Sequence, residues 1–396
     1  MRQVYVDEKS ILTKASFRKL RANSPAGGWF PALQTLYWYT TESDLPYVNL
    51  FFYPHLKTIS IFVQGWSNNS SEDTFLAIAS TISALPTSAL QSLDVFVPHM
   101  VPWGHFEDSL SSVAPRCGPS LVEFISSTPL SKAAADHLIQ LPHLHTWRID
   151  SSPPSYSASS FPLTFPPLNE FTLGGGVVYE WLSLFERLED SASTARGVTP
   201  LSKMKESLKI LAITEVPGFT IDISFTSPIQ MFQNLVELSV ETSCWDERDR
   251  GQCIFKLNNN DVTELAIALP RLEPLCIEPG CYENICATTV TSLLAISVHC
   301  VKLRWLEIHF NTTNIVDDLK TISEDHKFQE LRSLPRCSLN YLDVWRTPLT
   351  LDEPDFEIVA NGMIGIFPSL ECCTGWGEFK DSWHGLSKKI AGIQEI

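Results

Sequence analysis

The sequence predicts an α/β fold built from stacked repeats, in which the strands of one parallel sheet alternate with helices. Two observations lead to this prediction. A short apolar pattern recurs along most of the 396 residues, and segments with helical spacing lie between its copies. A single strand cannot bury its apolar row, but stacking it on its neighbours does so. Parallel neighbours also need a crossover of roughly a dozen residues or more, which is usually helical.

The recurring pattern is a leucine, two further residues, an apolar residue, one residue and a second apolar residue. Leu33-Gln-Thr-Leu36-Tyr-Trp38 is a clear copy. The copies begin at Leu33, Leu56, Leu90, Leu121, Leu144, Leu168, Leu208, Leu235, Leu272, Leu303, Leu339 and Leu370, which we call the lead leucines. The copies at Leu121 and Leu370 are degenerate. The spacing varies from 23 residues (Leu33 to Leu56) to 40 (Leu168 to Leu208), which predicts about twelve irregular repeats.

Each copy sorts its side chains onto two faces of the predicted sheet. The apolar residues alternate, so they point together into the interior, and the residues between them point outward. Several copies follow a proline that is itself preceded by leucine or an aromatic residue: Phe30-Pro31, Tyr53-Pro54, Leu141-Pro142, Phe165-Pro166, Leu269-Pro270 and Phe367-Pro368. Proline at this point ends the preceding helix and favours an extended entry into the strand.

The segments between the copies are expected to supply the helices. Apolar spacing predicts helices over 75–85, 132–141, 178–188, 262–269 and 288–298. Ser131 is the expected N-cap of the second helix, and Asn260 or Asp261 that of the fourth, because short polar side chains accept the first free backbone amides.

The pattern also indicates the domain organisation. Residues 29–396 are predicted to form one repeat domain, with 1–28 as an N-terminal cap segment and 379–396 as a C-terminal helix or tail. The stretches 151–160 and 189–200 are predicted to be loops extruded from repeats, because the pattern resumes in the same form after each of them.

Composition narrows the classes of function. The chain has 45 acidic and 29 basic residues, a net charge of -16 and no basic run, so binding to nucleic acid or to an anionic membrane is not expected. It has no uninterrupted apolar run of about 18 residues, so we expect no membrane-spanning helix. The N-terminus lacks the apolar core of a signal peptide, so the ten cysteines indicate reduced core residues of a cytoplasmic or nuclear protein.

Candidate chemistry is sparse. Gly174-Gly-Gly lacks both the glycine order and the following Lys-Ser/Thr of a phosphate-binding loop. No Gly-x-Ser-x-Gly nucleophile motif is present. The candidate metal ligands lack the paired C-x-x-C spacing of a structural zinc site; they are Cys253, Cys276, Cys281, Cys286, His299 and Cys300. We therefore expect no catalytic residues, no cofactor and no metal site.

The outward strand positions form the candidate binding surface. Aromatic rings offer a large contact area and lose few rotamers on binding, and carboxylates beside them steer a basic partner. The candidate partner-binding residues are Tyr37, Tyr39, Phe62, Phe96, Arg148, Asp150, Glu237, Glu241, Trp305, Glu307, His309, Tyr341, Asp343 and Trp345. Ordinary exposed strand positions in a repeat array fit the same composition. Because neighbouring strands lie about 5 Å apart, Trp305 is expected beside Tyr341, and His309 beside Trp345.

The stretches 260–277 and 291–308, each with a helical pattern followed by a strand pattern, resemble the ribonuclease-inhibitor-like subclass of leucine-rich repeats. Residues 28–396 as a whole are similar to the irregular repeat arrays of fungal F-box proteins. This resemblance implies a leucine-rich-repeat solenoid with a curved parallel sheet on its concave side and helices on its convex side. In that family the F-box docks a cullin–RING ubiquitin ligase, and the repeats recruit the substrate.

The resemblance stops short of the F-box itself. Residues 1–30 contain no Leu-Pro-type motif of the kind that opens an F-box, so no ligase-binding residue is carried over, and a ligase adaptor is expected only if an F-box lies upstream. The expected function is a monomeric, non-enzymatic protein-recognition module, namely the substrate-receptor domain of an F-box type ubiquitin ligase subunit. The alternative is a stand-alone scaffold or inhibitor that binds a basic protein partner on its concave face.

Overall fold

The structure, a computed structural model, describes residues 2–6, 14–23, 25, 29–41, 45–64, 72–97, 104–128, 130–149, 166–174, 200–214, 220–242, 254–278, 286–324, 334–344 and 347–394. These residues belong to two compact units, Met1–Met204 and Lys205–Ile396. The loop predicted at 151–160, the helix predicted at 178–188 and all but Pro200 of the loop predicted at 189–200 lie outside the described residues.

The first unit contains parallel strands that follow one another in chain order. They are β1 (Gln3–Val6), β2 (Thr35–Thr41), β3 (Thr58–Gln64), β4 (Ser92–Phe96), β5 (Glu123–Ser126), β6 (Thr146–Ile149) and β7 (Glu170–Gly174). Between strands lie helices α1 (Lys14–Ala22), α2 (Glu72–Ser83), α3 (Gly104–Val113) and α4 (Lys132–Ile139), and the 3₁₀ helices Leu45–Phe51 and Ala114–Arg116. Helix α5 (Pro200–Ser207) lies at the boundary of the two units.

The second unit repeats this arrangement. Its main parallel sheet has the order β8 (Ile210–Thr214), β10 (Glu237–Glu241), β12 (Pro274–Glu278), β13 (Trp305–Ile308), β14 (Tyr341–Asp343) and β15 (Cys372–Thr374). Strands β9 (Thr220–Ile221) and β11 (Ile254–Phe255) form a separate parallel pair. The helices are α6 (Ile223–Ile229), α7 (Asn259–Ala268), α8 (Val290–His299), α9 (Ile315–Glu324), α10 (Glu353–Ile366) and α11 (Lys380–Gln394).

The lead leucines mark the start of the strands. Each lies two residues before a strand begins, and each is 0% exposed. Burial then alternates along the strand, as in β8, where Leu211 and Ile213 are buried between half-buried neighbours. Parallel strands alternating with helices confirm the predicted fold class, an α/β leucine-rich-repeat array of the solenoid type, in each unit.

Backbone hydrogen bonds fix the register between neighbouring repeats. In most repeats the carbonyl of the residue after a lead leucine accepts two amides from the next repeat; Val236 O accepts one, from Glu273 N, because Pro274 has no amide hydrogen. Gln34 O accepts from Lys57 N at 2.8 Å and from Thr58 N at 3.1 Å, and Lys57 O accepts in turn from Gln91 N at 2.7 Å and Ser92 N at 3.0 Å. Because side chains alternate with period two, a slip of one residue would turn every lead leucine outward, so burial and register reinforce each other.

Helices cover the inward face of the sheet, where the apolar residues point. Trp38 of β2 is fully buried, with its ring centroid 5.4 Å from Phe17 of α1 and 5.2 Å from Phe51 of the following 3₁₀ helix. Neighbouring helices also contact each other. The Cys300 thiol at the end of α8 donates to Ala266 O of α7 at 3.7 Å. The core therefore lies between the sheet and its helices.

The helix starts follow the capping rules closely. Ser131 caps α4 as predicted, because its side chain accepts from Ala134 N. The N-cap of α7 is Asn258 rather than Asn260 or Asp261. Asn258 accepts from the amide of Asp261, whose carboxylate accepts from the Asn258 amide at 3.0 Å, so the two form a capping box and the helix begins earlier than predicted.

The N-terminal segment adds a strand that the repeat pattern does not predict. Strand β1 pairs in parallel with β2, with Val4 opposite Leu36 and Val6 opposite Trp38. It has no lead leucine, which is why the pattern search begins only at Leu33. The division into a cap segment at 1–28 and a repeat domain at 29–396 stays a prediction.

The C-terminal segment, for which a helix or tail is predicted over 379–396, forms helix α11. Trp383, Leu386 and Ile390 of this helix are fully buried, and Trp383 Nε1 donates to Thr347 O at 2.9 Å. Helix α11 is 15 residues long. Within the described ranges, no helix is both long enough and apolar enough to cross a lipid bilayer.

Replacing a buried strand leucine should destabilise the protein far more than replacing an exposed helical leucine. Leu93 of β4 is 0% exposed, so Leu93→Ala should lower the free energy of unfolding by about 2–5 kcal/mol, because it leaves a cavity. Leu76 of α2 is 48% exposed, so the control Leu76→Ala should change it by less than about 0.5 kcal/mol. Urea unfolding followed by circular dichroism measures both, and equal effects would contradict the assignment of the interior.

Candidate functional site

The sheet face that points away from the lead leucines is called the open face. In β2, buried Leu36 and Trp38 flank Tyr37, which is 36% exposed, and in β13 Trp305 is 44% exposed beside buried Leu306. Trp305 and Tyr341 are register partners on adjacent strands, and their ring centroids lie 4.1 Å apart. The predicted lateral contact between these two residues is therefore confirmed. The predicted contact between His309 and Trp345 stays a prediction, because Trp345 lies outside the described residues.

Five aromatic residues form a continuous row on the open face of the first unit. We call Tyr5, Tyr37, Tyr39, Phe62 and Phe96 the aromatic ladder. Ring centroids are 6.1 Å apart for Tyr5 and Tyr37, 5.6 Å for Tyr5 and Tyr39, 5.4 Å for Tyr39 and Phe62, and 4.3 Å for Phe62 and Phe96, whose planes are nearly parallel at 5°. Tyr5 is 61% exposed, so the ladder presents apolar surface to solvent at its first strand.

Sequence reasoning found four members of the aromatic ladder and missed Tyr5. Strand β1 is four residues long and lies before the first copy of the pattern. The one available signal was the alternation of Val4, Tyr5 and Val6, which is too short to predict a strand with confidence in the absence of a lead leucine.

Polar pairs lie beside the aromatic ladder. Ser60 Oγ donates to Asp94 Oδ2 at 2.8 Å, and Ser92 Oγ donates to Glu123 Oε2 at 2.5 Å, in each case between neighbouring strands. Arg148 is exposed on β6, two strands from β4. The candidate Asp150 lies outside the described residues.

Carboxylates dominate the open face of the second unit. Glu237 and Glu241 lie on β10, Glu278 on β12, Glu307 on β13 and Asp343 on β14, and we call these five residues the acidic face. In the part of the second unit's main sheet that the structure describes, no lysine or arginine occupies an open-face strand position. Clustered charges of one sign attract and steer a ligand of the opposite sign.

Two members of the acidic face belong to a compact group with three aromatic residues. We call Trp305, Glu307, Tyr341, Asp343 and Trp376 the Trp cluster. Trp305 Nε1 donates to Glu307 Oε1 at 2.7 Å and Trp376 Nε1 donates to Asp343 Oδ2 at 3.0 Å. Tyr341 OH donates to the same Asp343 oxygen at 3.3 Å. Each ring is thus oriented by a carboxylate.

Burial and charge act on Asp343 and Tyr341 in the Trp cluster. Asp343 is only 4% exposed, and its Oδ2 accepts from Tyr341 and Trp376. Partial burial raises the pKa of the Tyr341 phenol, and the Asp343 charge adds to this. The phenol therefore stays protonated and able to donate at neutral pH. Trp376 follows β15, in the degenerate last copy, so the pattern gave no outward position for it.

A thiol and two carboxylates converge near the Trp cluster. The ligand atoms of Cys276, Glu278 and Glu307 all lie within 4.8 Å of one another. Burial raises the pKa of the Cys276 thiol, and the nearby Glu307 charge raises it further, so Cys276 is a neutral thiol that donates to Glu307 Oε2 at 2.9 Å. Sequence reasoning missed this group because Glu307 lies on the repeat after the one that carries Cys276 and Glu278.

The other cysteines considered as metal ligands are not gathered into one site. Among the described residues, no group of three Cys, His, Asp or Glu side chains other than Cys276, Glu278 and Glu307 lies close enough to share an ion. Cys286 and Cys300 are buried, at 3% and 0% exposure. Cys253 and Cys281 lie outside the described residues.

His309 is buried rather than exposed on the open face. Strand β13 ends at Ile308, so the chain turns away before His309, which is 8% exposed. Its Nδ1 lies 3.0 Å from Thr347 Oγ1, and its carbonyl accepts from Thr288 Oγ1 at 3.1 Å. The alternation of residues in the sequence could not reveal that His309 is buried, because the Thr347 contact comes from a segment 38 residues further along the chain.

A polar pocket of about 440 Å³ lies beside His309. It is lined by Cys286, His309, Phe310, Asn311, Thr312, Thr313, Pro348 and Thr350. The Cys286 thiol contacts Thr288 Oγ1 at 2.5 Å, and burial raises its pKa to about 11, so it is protonated at neutral pH. This pocket therefore brings no activated nucleophile to its surface.

No protein-family model matches the chain, and no curated protein sequence matches it. Among solved structures, 32 chains match. One of them belongs to the crystal structure of the complex of Rad7 and Elc1 from yeast. The match has a TM-score of 0.42 and 13% sequence identity, and covers 93% of this chain and 81% of that chain. At this level of likeness, nothing about function follows for this protein.

The buried thiols should be protected from alkylation. Burial raises the pKa of Cys286 and Cys337 to about 11, whereas an ordinary thiol has a pKa of about 8.5. At pH 8 the thiolate fraction of each is therefore roughly a hundredfold lower than in the unfolded chain. Iodoacetamide labelling followed by mass spectrometry should show at least that protection. Equal labelling of native and urea-unfolded protein would contradict it.

The same shifts predict that stability falls at alkaline pH. As the pH rises above about 8.5, the unfolded chain releases its thiol protons while Cys286 and Cys337 in the folded state keep theirs up to about 11. The free energy of unfolding therefore decreases, and the urea midpoint should decrease between about pH 8.5 and 11. The double variant Cys286→Ala/Cys337→Ala is the control, and its midpoint should decrease less steeply.

Proposed function

We propose that this chain is a non-enzymatic protein-recognition module that binds a basic protein partner through its open face. The single observation that carries the proposal is the register of the outward side chains. Aromatic rings in the first unit and carboxylates in the second lie in rows, each on the open face of its own unit's parallel strands. Rigid rings give contact area at a small entropic cost, and carboxylates provide charge complementarity.

The fold supports a binding role more directly than a catalytic one. The interior is filled with apolar side chains, including every lead leucine. The outward strand positions on the open face are the ones left to contact a partner. Catalysis needs a nucleophile or an acid–base pair with a pKa matched to its task. Every cysteine whose pKa is shifted has it raised by burial. These thiols therefore stay protonated at neutral pH and are poor nucleophiles.

The specific role that we propose is substrate recognition in an F-box type ubiquitin ligase. It is supported by the resemblance of the repeats to those of fungal F-box proteins, together with the acidic open face. The protein then works inside the cell, in the cytoplasm or nucleus, and the described cysteines are all free thiols, as a reducing compartment favours. Binding of a ligase adaptor needs an F-box, and residues 1–30 lack the Leu-Pro-type motif that opens one.

A stand-alone scaffold or inhibitor is the second candidate. The acidic face favours it, because five carboxylates on four strands suffice to block a basic surface without any ligase. Both candidates use the same open face and the same class of partner. They differ only in whether a ligase adaptor and a cullin accompany the partner.

Substitutions on the open face should release the partner, and matched substitutions on helices should not. Tyr37→Ala removes an exposed ring of the aromatic ladder, and Glu241→Lys reverses a charge of the acidic face. Each should reduce recovery of the partner by at least about fivefold in quantitative affinity capture. Ile267→Ala in α7 and Glu324→Lys in α9 alter exposed helical residues and should change recovery by less than about twofold.

The same capture distinguishes the two candidates. Recovery of a ligase adaptor and a cullin with the natural full-length gene product supports the substrate receptor, and their absence supports the scaffold or inhibitor. If the open-face variants recover the same proteins as the wild type, at unchanged levels and with an unchanged circular dichroism spectrum, the proposed recognition surface is wrong.

A further inference from the structure

The Trp cluster combines exposed aromatic surface with two carboxylates. Trp305 and Trp376 are 44% and 52% exposed, and Tyr341 of β14 is half-buried with its ring centroid 4.1 Å from that of Trp305. A cation near the face of an indole or phenol is attracted by the ring's charge distribution, and a carboxylate beside the ring adds charge attraction. This chemistry suits an organic cation.

The cluster is organised before any ligand arrives. The two indole N–H groups and the Tyr341 hydroxyl donate to Glu307 and Asp343 over 2.7–3.3 Å. Tyr341 OH also lies 2.8 Å from Thr374 Oγ1. Rings fixed in this way have little rotational freedom left to lose when a ligand binds, which favours affinity.

These hydrogen bonds leave the negative charge in place. Indole N–H, phenol O–H and, for Glu307, the thiol of Cys276 are all neutral donors. Glu278 lies on the strand beside Glu307 and adds a further negative charge. Across the described strands of this sheet, lysine and arginine are absent from the open face, so the field favours a cation from outside.

We propose that the Trp cluster binds an arginine side chain carried by a basic segment of the protein partner. This inference rests on the proposed function. Arginine fits better than lysine because its guanidinium is planar and weakly hydrated, stacks on indole, and donates several hydrogen bonds in one plane. Glu307 accepts from the Trp305 indole, so a guanidinium stacked on that ring lies beside this carboxylate, and the charge of the buried Asp343 on the next strand adds to the attraction.

Peptides of equal charge test this choice directly. The probes are two fluorescein-labelled peptides in which glycine alternates with arginine or with lysine, titrated with the full chain and followed by fluorescence anisotropy. The arginine peptide should bind at least about fivefold more tightly than the lysine peptide. The preference should persist in EDTA, because the proposed site needs no metal ion.

Substitutions locate the site. Trp305→Leu removes the exposed indole ring of β13, and Glu307→Gln removes the charge of the Glu307 side chain while keeping its shape. Each should weaken the arginine peptide by about fivefold or more. Trp29→Leu in the first unit and Glu324→Gln on α9 are the matched controls, and each should change binding by less than about twofold.

The outcomes separate this inference from the proposed function. Equal binding of the two peptides, equal effects of the cluster and control variants, or loss of binding in EDTA overturns the arginine site. If partner capture still depends on Tyr37 and Glu241 in that case, the proposed function stands without the arginine site. If capture is insensitive to the open-face variants, the proposed function falls whatever the peptides do.

Discussion

Burial of the lead leucines is the constraint on which the rest of this structure depends. Each of these side chains is fully buried two residues before a strand, and in most repeats the next carbonyl accepts two amides from the following repeat. Together these contacts fix the register of the strands that follow a lead leucine to a single residue. The second and fourth positions after a lead leucine then face outward, which places Trp305 and Glu307 on the open face after Leu303.

The open face owes its chemistry to positions that the core does not constrain. Because the buried residues alone satisfy the packing of a repeat, outward residues can vary from strand to strand. In the first unit they include the aromatic ladder, and in the second the acidic face and the Trp cluster. The two units therefore offer different surfaces on the same strand geometry, one mainly apolar and one mainly negative.

The sequence was sufficient for the fold class, the strand starts and the contact of Trp305 with Tyr341, because all three follow from a pattern local to each repeat. What it could not predict depends on contacts between distant segments. His309 is buried by a bond to Thr347, 38 residues away. Trp376, which donates to Asp343, follows the degenerate copy that begins at Leu370. Tyr5 lies on a strand with no lead leucine.

We propose that the partner binds the open face rather than the helical side. Hydroxyl-radical footprinting of the full chain, free and bound to its captured partner, distinguishes the two. Binding at the open face should protect Tyr37, Trp305 and Trp376 but not Ile267 on α7, since all four are exposed in the free chain. Protection of Ile267 with unchanged labelling of the three aromatic residues would contradict it.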